Sequence, residues 1–369
     1  MEAPRTAVHV ARAQLAVVAA IVIAGLVGGV GIQLELWAPG PAWSIERYTA
    51  MLGVHGLLAF AVGAPVLAGS FGYVAVTAWL GVRRVVAPAI AWVGLGLWAL
   101  GVGAIVVLLV RTTGRGDPGW TFATPTTVEP GPGVIARALG PLACAAATLV
   151  FALHLGAQIA PVWRAARPGP RAAAAAFALV LTAAALAALA DACGLAATGG
   201  IARVLTVGAA LLLACAAVAR DVRDRTVLAF VALGVVPMFA VAQLSRWVGG
   251  ASDVHLTDTY FAVGTYHALA AVIAFACLAA VHAWAAPLVG RVPQPVVAAI
   301  GAVACCAGML LHVYASLRLG LGGMPRRYWD YEPPFAALHQ LAGVGAAIAI
   351  GGLVLLTAAW LLTARRTAR

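Results

Sequence analysis

The sequence contains no lysine and little charge of either sign. Only 9% of its 369 residues are charged, whereas an ordinary soluble domain has about 25%. Hydrophobic residues make up 63% of the chain and the mean hydropathy is +1.00, which excludes a soluble enzyme and a disordered protein. All 23 basic residues are arginines, placed in small groups between long apolar runs. A nucleic-acid binder clusters its basic residues on one face, so this arrangement indicates a polytopic membrane protein instead.

The cysteines show no pattern of metal or disulfide chemistry. All six lie inside apolar stretches, none forms a CxxC pair, and none has the cysteine–histidine spacing of a zinc site. We interpret them as small hydrophobic residues, with a redox role left open for the adjacent pair Cys305 and Cys306. No small-residue cleavage pattern follows the first apolar run, so this run is expected to be a retained helix rather than a signal peptide.

Ten apolar runs have the length of about 20 residues that a helix needs to cross a bilayer. The predicted fold is an all-α, polytopic transmembrane helix bundle of about ten helices, forming a single integral membrane domain over residues 1–369. The predicted spans are 14–34, 49–80, 86–110, 137–160, 172–191, 199–219, 226–247, 259–285, 295–318 and 336–364. The longest connection, from Arg111 to Arg137, is too short for a second domain.

The distribution of arginine predicts the orientation of these spans. Fourteen of the 23 arginines fall on the side of the membrane that holds the N-terminus. Cytoplasmic loops carry the excess of basic residues in membrane proteins. An even number of spans returns the C-terminus to the same side, so both termini are expected in the cytoplasm.

Histidines inside the apolar runs are the main candidates for function, because ionisable residues within a membrane span are costly and usually functional. His55 and His267 each lie about two turns from the outer end of their predicted spans, on different helices. Two imidazoles at one depth suit the bis-axial ligation of a haem between helices. Depth alone leaves the alternative that both are unrelated core histidines hydrogen-bonded to carbonyls. A second haem held by His154 and His282, nearer the inner side, is a further alternative.

Three motifs resemble those of subunit I of the haem-copper oxidases. Residues 323–331 read GMPRRYWDY, similar to the family's GMPRRYxDY, and residues 257–267 read TDTYFAVGTYH, similar to its HDTYFVVAHFH. The third motif, similar to the family's Y…AHG…MP…GGFG, consists of Tyr48, His55, Gly56, Pro65 and the GSFG of residues 69–72. Fainter matches occur at 119–121, 151–155 and 281–284. The resemblance covers most of the chain and implies the helical fold of that family.

The resemblance implies one haem site and the loss of another. His55 and His267 match the axial ligands of the family's low-spin haem, whereas Thr265 stands where the family has the histidine that ligates its high-spin haem. The family's copper site is completed by an HPEVY motif and an adjacent pair of histidines. The sequence contains neither HPEVY nor an HH dipeptide. We therefore expect one bis-His low-spin haem, no CuB, and no oxygen-reducing binuclear centre. An iron with both axial positions filled passes electrons but does not readily bind oxygen.

The resemblance also implies residues that hold the haem propionates. Arg326 and Arg327 match the family's propionate-binding pair, and guanidinium groups bind carboxylates in a bidentate manner. Tyr48 and Trp120 match a tyrosine and a loop tryptophan near the propionates. The alternative role for all four residues is to anchor the chain at the membrane boundary, where these residue types are enriched.

Two departures from the family bear on detail. Gln33 replaces the arginine that contacts the substituent of the low-spin haem, which favours haem B over haem A. From His55 to Pro65 the chain is one residue shorter than the family pattern. One residue rotates a helix face by about 100°, so a bulge or local rewinding is expected after His55.

The sequence therefore predicts a haem-binding electron-transfer subunit in the cytoplasmic membrane of a prokaryote. Its expected partners are other subunits of a respiratory complex, with a cytochrome c, a cupredoxin or a quinol as electron donor. Two alternatives remain open: a true terminal oxidase with a rebuilt active site, and a structural or assembly subunit whose haem site is no longer used.

Overall fold

The computed structural model consists almost entirely of helices. The described residues are 3–45, 47–48, 51–52, 55, 63–112, 132–164, 167–193, 195, 199–251, 255–284, 288, 290, 292–328 and 330–362. Among them, the only extended pairing is one isolated antiparallel bridge between Thr259 and Pro325. The predicted all-α fold class is confirmed.

Eleven α-helices lie within the described ranges. They are α1 (Arg5–Glu35), α2 (Tyr73–Leu80), α3 (Pro88–Thr112), α4 (Pro132–Ile159), α5 (Pro168–Ala192), α6 (Gly199–Arg220), α7 (Arg225–Ala229), α8 (Val236–Ala251), α9 (Tyr260–Ala283), α10 (Pro295–Leu321) and α11 (Ala336–Leu361). π-helical turns at Leu67–Gly72 and Phe230–Val235 precede α2 and α8, and 3-10 turns occur at Ala160–Val162, Leu256–Asp258 and Pro333–Phe335.

Ten helical segments among the described residues are long and apolar enough to cross a membrane, judged by length and composition. Each coincides with one predicted span, and the second is described from Gly63 to Leu80. The first helix begins at Arg5 rather than near residue 14, because its polar first turns continue the helix beyond the apolar run. Four of the helices start with proline, whose missing N–H needs no partner at the first helical position: Pro88, Pro132, Pro168 and Pro295.

The chain forms two compact units. Unit 1 contains residues 1–28 and 49–213, and unit 2 contains residues 29–48 and 214–369. Helix α1 thus begins in unit 1 and ends in unit 2.

Glycines bring α10 and α11 into close contact in unit 2. A Cβ atom on Gly308 would lie 2.4 Å from the backbone nitrogen of Ala349, and one on Gly345 would lie 2.6 Å from that of His312. Gly301 and Gly352 show the same close approach one heptad away. Small residues at such positions let the backbones of membrane helices touch, which maximises van der Waals packing. This packing sets the position of His312 relative to α11.

A π-helical turn replaces regular α-helix shortly after Pro65 in unit 1. All six residues of Leu67–Gly72 are buried. A Cβ atom on Gly69 would lie 2.8 Å from the Phe151 ring, and one on Gly72 would lie 2.8 Å from Leu155. A π turn holds an extra residue and offsets the faces before and after it. The rewinding expected between His55 and Pro65 stays a prediction, because residues 56–62 lie outside the described part of the chain. The π turn lies beyond Pro65, and its glycines admit the side chains of α4.

Candidate functional site

His55 is oriented by a carbonyl of α1 within unit 1. Its Nδ1 atom lies 3.0 Å from the backbone oxygen of Gly25, and its side chain is half-buried. A carbonyl oxygen only accepts hydrogen bonds, so Nδ1 carries the proton and donates it. Nε2 is consequently the nitrogen with the lone pair, as required of a metal-ligating imidazole.

His267 has the same tautomer, set within its own helix in unit 2. Its Nδ1 donates to the backbone oxygen of Val263, one turn earlier in α9, at 2.9 Å. The lone pair again resides on Nε2. Thr265, which stands at the position of the family's other haem ligand, donates its hydroxyl to the backbone oxygen of Phe261 at 2.9 Å. The Thr265 hydroxyl is thus hydrogen-bonded to the backbone of its own helix.

A third histidine lies against His267. The imidazole rings of His267 and His312 have their centroids 4.8 Å apart at an interplanar angle of 75°. His312 is buried in α10, and its Nδ1 donates to the backbone oxygen of Ala342 in α11 at 3.0 Å. Sequence reasoning missed this pair, because 45 positions of chain separate the two residues and no motif joins them.

Tyr48 is almost fully buried in unit 2, with 1% of its surface exposed. The Tyr260 phenol lies next to its hydroxyl, and the hydroxyl proton has no acceptor within the described part of the chain. Burial raises the pKa of Tyr48 to about 12, so the hydroxyl remains a neutral donor near neutral pH. A buried donor of this kind suits an acceptor such as a carboxylate.

The two longest family-like motifs contact each other in unit 2. The backbone nitrogen of Arg326 donates to the backbone oxygen of Asp258 at 3.0 Å, and that of Tyr260 donates to the backbone oxygen of Met324 at 2.9 Å. The Arg326 side chain forms an ion pair with the Asp258 carboxylate at 3.2 Å. The turn at residues 323–327 is therefore docked on the start of α9, the helix that carries His267.

Arg327 follows in a left-handed backbone conformation, with a φ angle of 73°. Partial burial lowers its pKa, and the neighbouring Arg326 lowers it further. The guanidinium group is basic enough that the side chain still carries its charge. Trp120, the fourth residue predicted at the propionates, lies outside the described residues.

A buried aromatic cluster near the same turn was also missed by sequence reasoning. His339 in α11 is 1% exposed, and neither of its ring nitrogens has a hydrogen-bond partner among the described residues. Its ring lies 4.3 Å from that of Tyr331 and 5.1 Å from that of Tyr260. Tyr331 donates its hydroxyl to the backbone oxygen of Leu36 at 2.8 Å, which connects the end of α1 to this cluster.

His154 has no nitrogen left for iron. Its Nδ1 pairs with the Tyr73 hydroxyl, and its Nε2 pairs with the backbone oxygen of Val86 at 2.5 Å. Both ring nitrogens of this buried side chain are thus used within unit 1. The structure therefore does not support the alternative of a second haem ligated by His154.

Comparison with known proteins agrees with the sequence motifs. The family profile "Cytochrome C and Quinol oxidase polypeptide I" matches residues 9–213 and 195–354. A cytochrome c oxidase polypeptide 1 of Halobacterium salinarum is 42% identical over 95 residues, which cover 26% of this chain and 16% of that protein. A cytochrome c oxidase subunit 1 of Synechocystis sp. is 35% identical over 95 residues, covering 26% of this chain and 17% of that protein.

The fold matches a solved structure of a heme-copper terminal oxidase dimer. The TM-score is 0.63 over 98% of this chain and 85% of that chain, at 14% sequence identity. Ten helices of spanning length in such a fold make the protein an integral membrane protein. Because the family profile extends over nearly the whole sequence, the chain belongs to the family of cytochrome c and quinol oxidase polypeptide I.

Proposed function

We propose that this chain is an electron-transfer subunit that binds one low-spin haem through His55 and His267. The observation that carries the proposal is the shared tautomer of the two histidines. Each donates its Nδ1 proton to a backbone carbonyl, Gly25 for one and Val263 for the other, and keeps its lone pair on Nε2. Such carbonyl partners fix the orientation of haem- and metal-ligating imidazoles and raise their basicity.

The residues proposed to hold the propionates have suitable chemistry. Arg326 and Arg327 supply charged donors on a turn that is docked beside α9, and Tyr48 supplies a buried hydroxyl donor. Trp120 is proposed as a further contact on the basis of the family resemblance alone. Gln33 supplies a neutral amide instead of the family's arginine, which favours haem B over haem A.

Held by His55 and His267, such a haem would supply one-electron transfer. In this proposal, His55 and His267 would hold the iron, and Arg326, Arg327 and Tyr48 would supply cationic and hydroxyl donors for the propionates. Thr265 offers no imidazole, and its hydroxyl is bonded to Phe261. We therefore propose that no CuB or second haem completes an oxygen-reducing centre in this chain.

The proposed setting is a respiratory complex in a prokaryotic cytoplasmic membrane, with both termini in the cytoplasm and the haem near the outer face. Other subunits of the complex are the expected partners, and a cytochrome c, a cupredoxin or a quinol is the expected donor. Family membership supports this setting, as does the excess of arginine on the N-terminal side.

A pyridine haemochrome assay on the purified chain tests the proposal. We expect one b-type haem per chain, and a low-spin absorption spectrum of the native protein that carbon monoxide does not change. His55→Ala and His267→Ala are each expected to lose the haem. His255→Ala serves as the matched control, because that histidine is exposed and lies in the turn before α9.

Two results would contradict the proposal. The first is a purified chain that binds no haem, which favours a structural or assembly subunit. The second is a high-spin, carbon monoxide-binding spectrum together with cyanide-sensitive oxygen consumption, which favours a terminal oxidase with a rebuilt active site.

A further inference from the structure

Unit 1 contains a basic cavity at the end where α1 begins. The cavity has a volume of about 830 Å³ and is formed by the first residues of α1 and by the loop between α2 and α3. Three of its lining residues are arginines, namely Arg5, Arg83 and Arg84, and none of the lining residues is acidic. Three arginines and no acidic residue among the lining residues give this cavity a positive potential, which attracts an anion.

Two helix N-termini add to the positive potential of this cavity. Its lining includes Arg5 and Pro88, the first residues of α1 and α3. The first backbone N–H groups of a helix have no partner within the helix, and the helix dipole places positive charge at that end. Phosphate oxygens bind readily at such positions.

Buried side chains hold the arginine-bearing loop in place. Gln158 accepts the backbone N–H of Val86 at 2.7 Å and donates to the backbone oxygen of the same residue at 3.3 Å. His154 contacts that oxygen as well, at 2.5 Å. Gly81 and Ala87 adopt positive φ angles of 65° and 45°, which form the turns at the two ends of the loop. The arginines are thus carried by an ordered backbone that is anchored to α4.

An apolar surface continues from the cavity along α3. Val86, Ile90, Trp92 and Val93 are all exposed large hydrophobic residues. They lie at the end of a helix of membrane-spanning length, where the head groups meet the acyl chains. A tryptophan at this depth is typical of the membrane interface.

We infer that this cavity binds the phosphodiester head group of an anionic phospholipid, with the acyl chains lying against α3. The arginines and helix N-termini suit any phosphate group, including a free phosphate from the aqueous phase. The adjacent apolar surface favours the lipid, since a free phosphate would gain nothing from it. Basic pockets between membrane helices are known to recognise such head groups.

Native mass spectrometry of the full-length chain in detergent tests the inference, with dioleoyl-phosphatidylglycerol and dioleoyl-phosphatidylcholine as the probes. On the unaltered protein we expect the phosphatidylglycerol to bind about tenfold more tightly than the phosphatidylcholine. Each arginine near the head groups contributes enough binding free energy for a several-fold preference. The double variant R83Q/R84Q is expected to reduce that preference by about tenfold. The control R164Q/R223Q removes the same charge from exposed arginines outside the cavity and is expected to leave the preference within about twofold.

Three outcomes would overturn the inference. Equal binding of the two lipids to the unaltered protein would show that the cavity does not select an anionic head group, and this comparison needs no variant to fold. Equal losses in R83Q/R84Q and R164Q/R223Q would show a general effect of net charge. Displacement of the lipid by glycerol 3-phosphate at an equal concentration would assign the cavity to a soluble phosphate.

Discussion

The imidazole of His312 lies against the imidazole of His267, with centroids 4.8 Å apart and planes at 75°. The Nδ1 proton of His267 is held by Val263 in the same helix, whereas that of His312 is held by Ala342 in a neighbouring helix. His312, which contacts the proposed haem ligand His267, is therefore held in place by the packing of α10 on α11.

Replacing His312 by leucine should alter the haem site without emptying it. The variant removes the hydrogen bond from His312 to the Ala342 carbonyl, which keeps its bond within α11, and one such bond is worth about 0.5–1.5 kcal/mol of stability. We expect full haem content in the pyridine haemochrome assay, a lower thermal midpoint, and a changed low-spin electron paramagnetic resonance signal as His267 reorients. His255→Leu is the control. Complete loss of haem in His312→Leu would contradict the expectation that this residue affects the haem only through His267.

Replacing His267 by methionine should keep the haem and raise its reduction potential. A thioether is a weaker donor than imidazole, and methionine–histidine ligation raises the potential of haem iron. Potentiometric titration followed by visible absorption measures the change. His55→Met should behave in the same way if the two histidines ligate one iron. A variant with an unchanged potential would exclude the substituted histidine from the axial ligands.

Substitution of His154 should affect stability and leave haem binding intact. Both of its ring nitrogens are hydrogen-bonded within unit 1, so His154→Leu leaves the Tyr73 hydroxyl without this partner and the Val86 carbonyl with Gln158 alone. The expected cost is about 1–3 kcal/mol, visible in thermal unfolding. The haem content should stay at one per chain. A proportional loss of haem in His154→Leu, and not in the exposed control His9→Leu, would revive a second haem site.

The glycine contact between α10 and α11 should tolerate no side chain. In Gly308→Ala the new methyl group would lie 2.4 Å from the nitrogen of Ala349, so the backbones must separate. Overpacking of this kind costs about 1–3 kcal/mol. Gly351→Ala is the matched control in α11, because a Cβ atom there meets nothing within 4 Å. The control should be neutral or gain about 0.5–1 kcal/mol from the lower entropy of the unfolded chain. Equal unfolding midpoints for the two variants would contradict this packing.

The ion pair between Arg326 and Asp258 should contribute little to stability. The Asp258 side chain is 76% exposed, and exposed ion pairs are worth about 0–1 kcal/mol. Two backbone hydrogen bonds between the same segments remain in Asp258→Asn. We expect the unfolding free energy of this variant to lie within about 1 kcal/mol of that of the unaltered protein. The difference should become smaller at high salt. A larger loss would mean that the side-chain pair, and not the backbone, docks the turn on α9.

Much of the fold follows from the sequence by local rules. A helix satisfies its backbone hydrogen bonds within itself, and the bilayer sets its length, so ten apolar runs predicted ten spans. The family resemblance depended on short motifs such as residues 323–331, which are also visible without a structure. Helix ends were less predictable, as the start of α1 at Arg5 shows, because polar residues continue a helix past its apolar run.

Contacts between helices were decided only in the tertiary structure. The sequence identified His55 and His267 as candidates, but the Nδ1 partner of each is a backbone carbonyl that no motif specifies. The contact between His267 and His312 likewise depends on how helix faces lined by glycine pack against each other. A span with few polar residues does not show from its sequence which face it turns to its neighbours. The sequence by itself thus determined the spans, the family motifs and the missing histidines. The tertiary structure decided that His55 meets the Gly25 carbonyl and that His312 meets His267 and the Ala342 carbonyl, because these contacts join segments far apart in the chain.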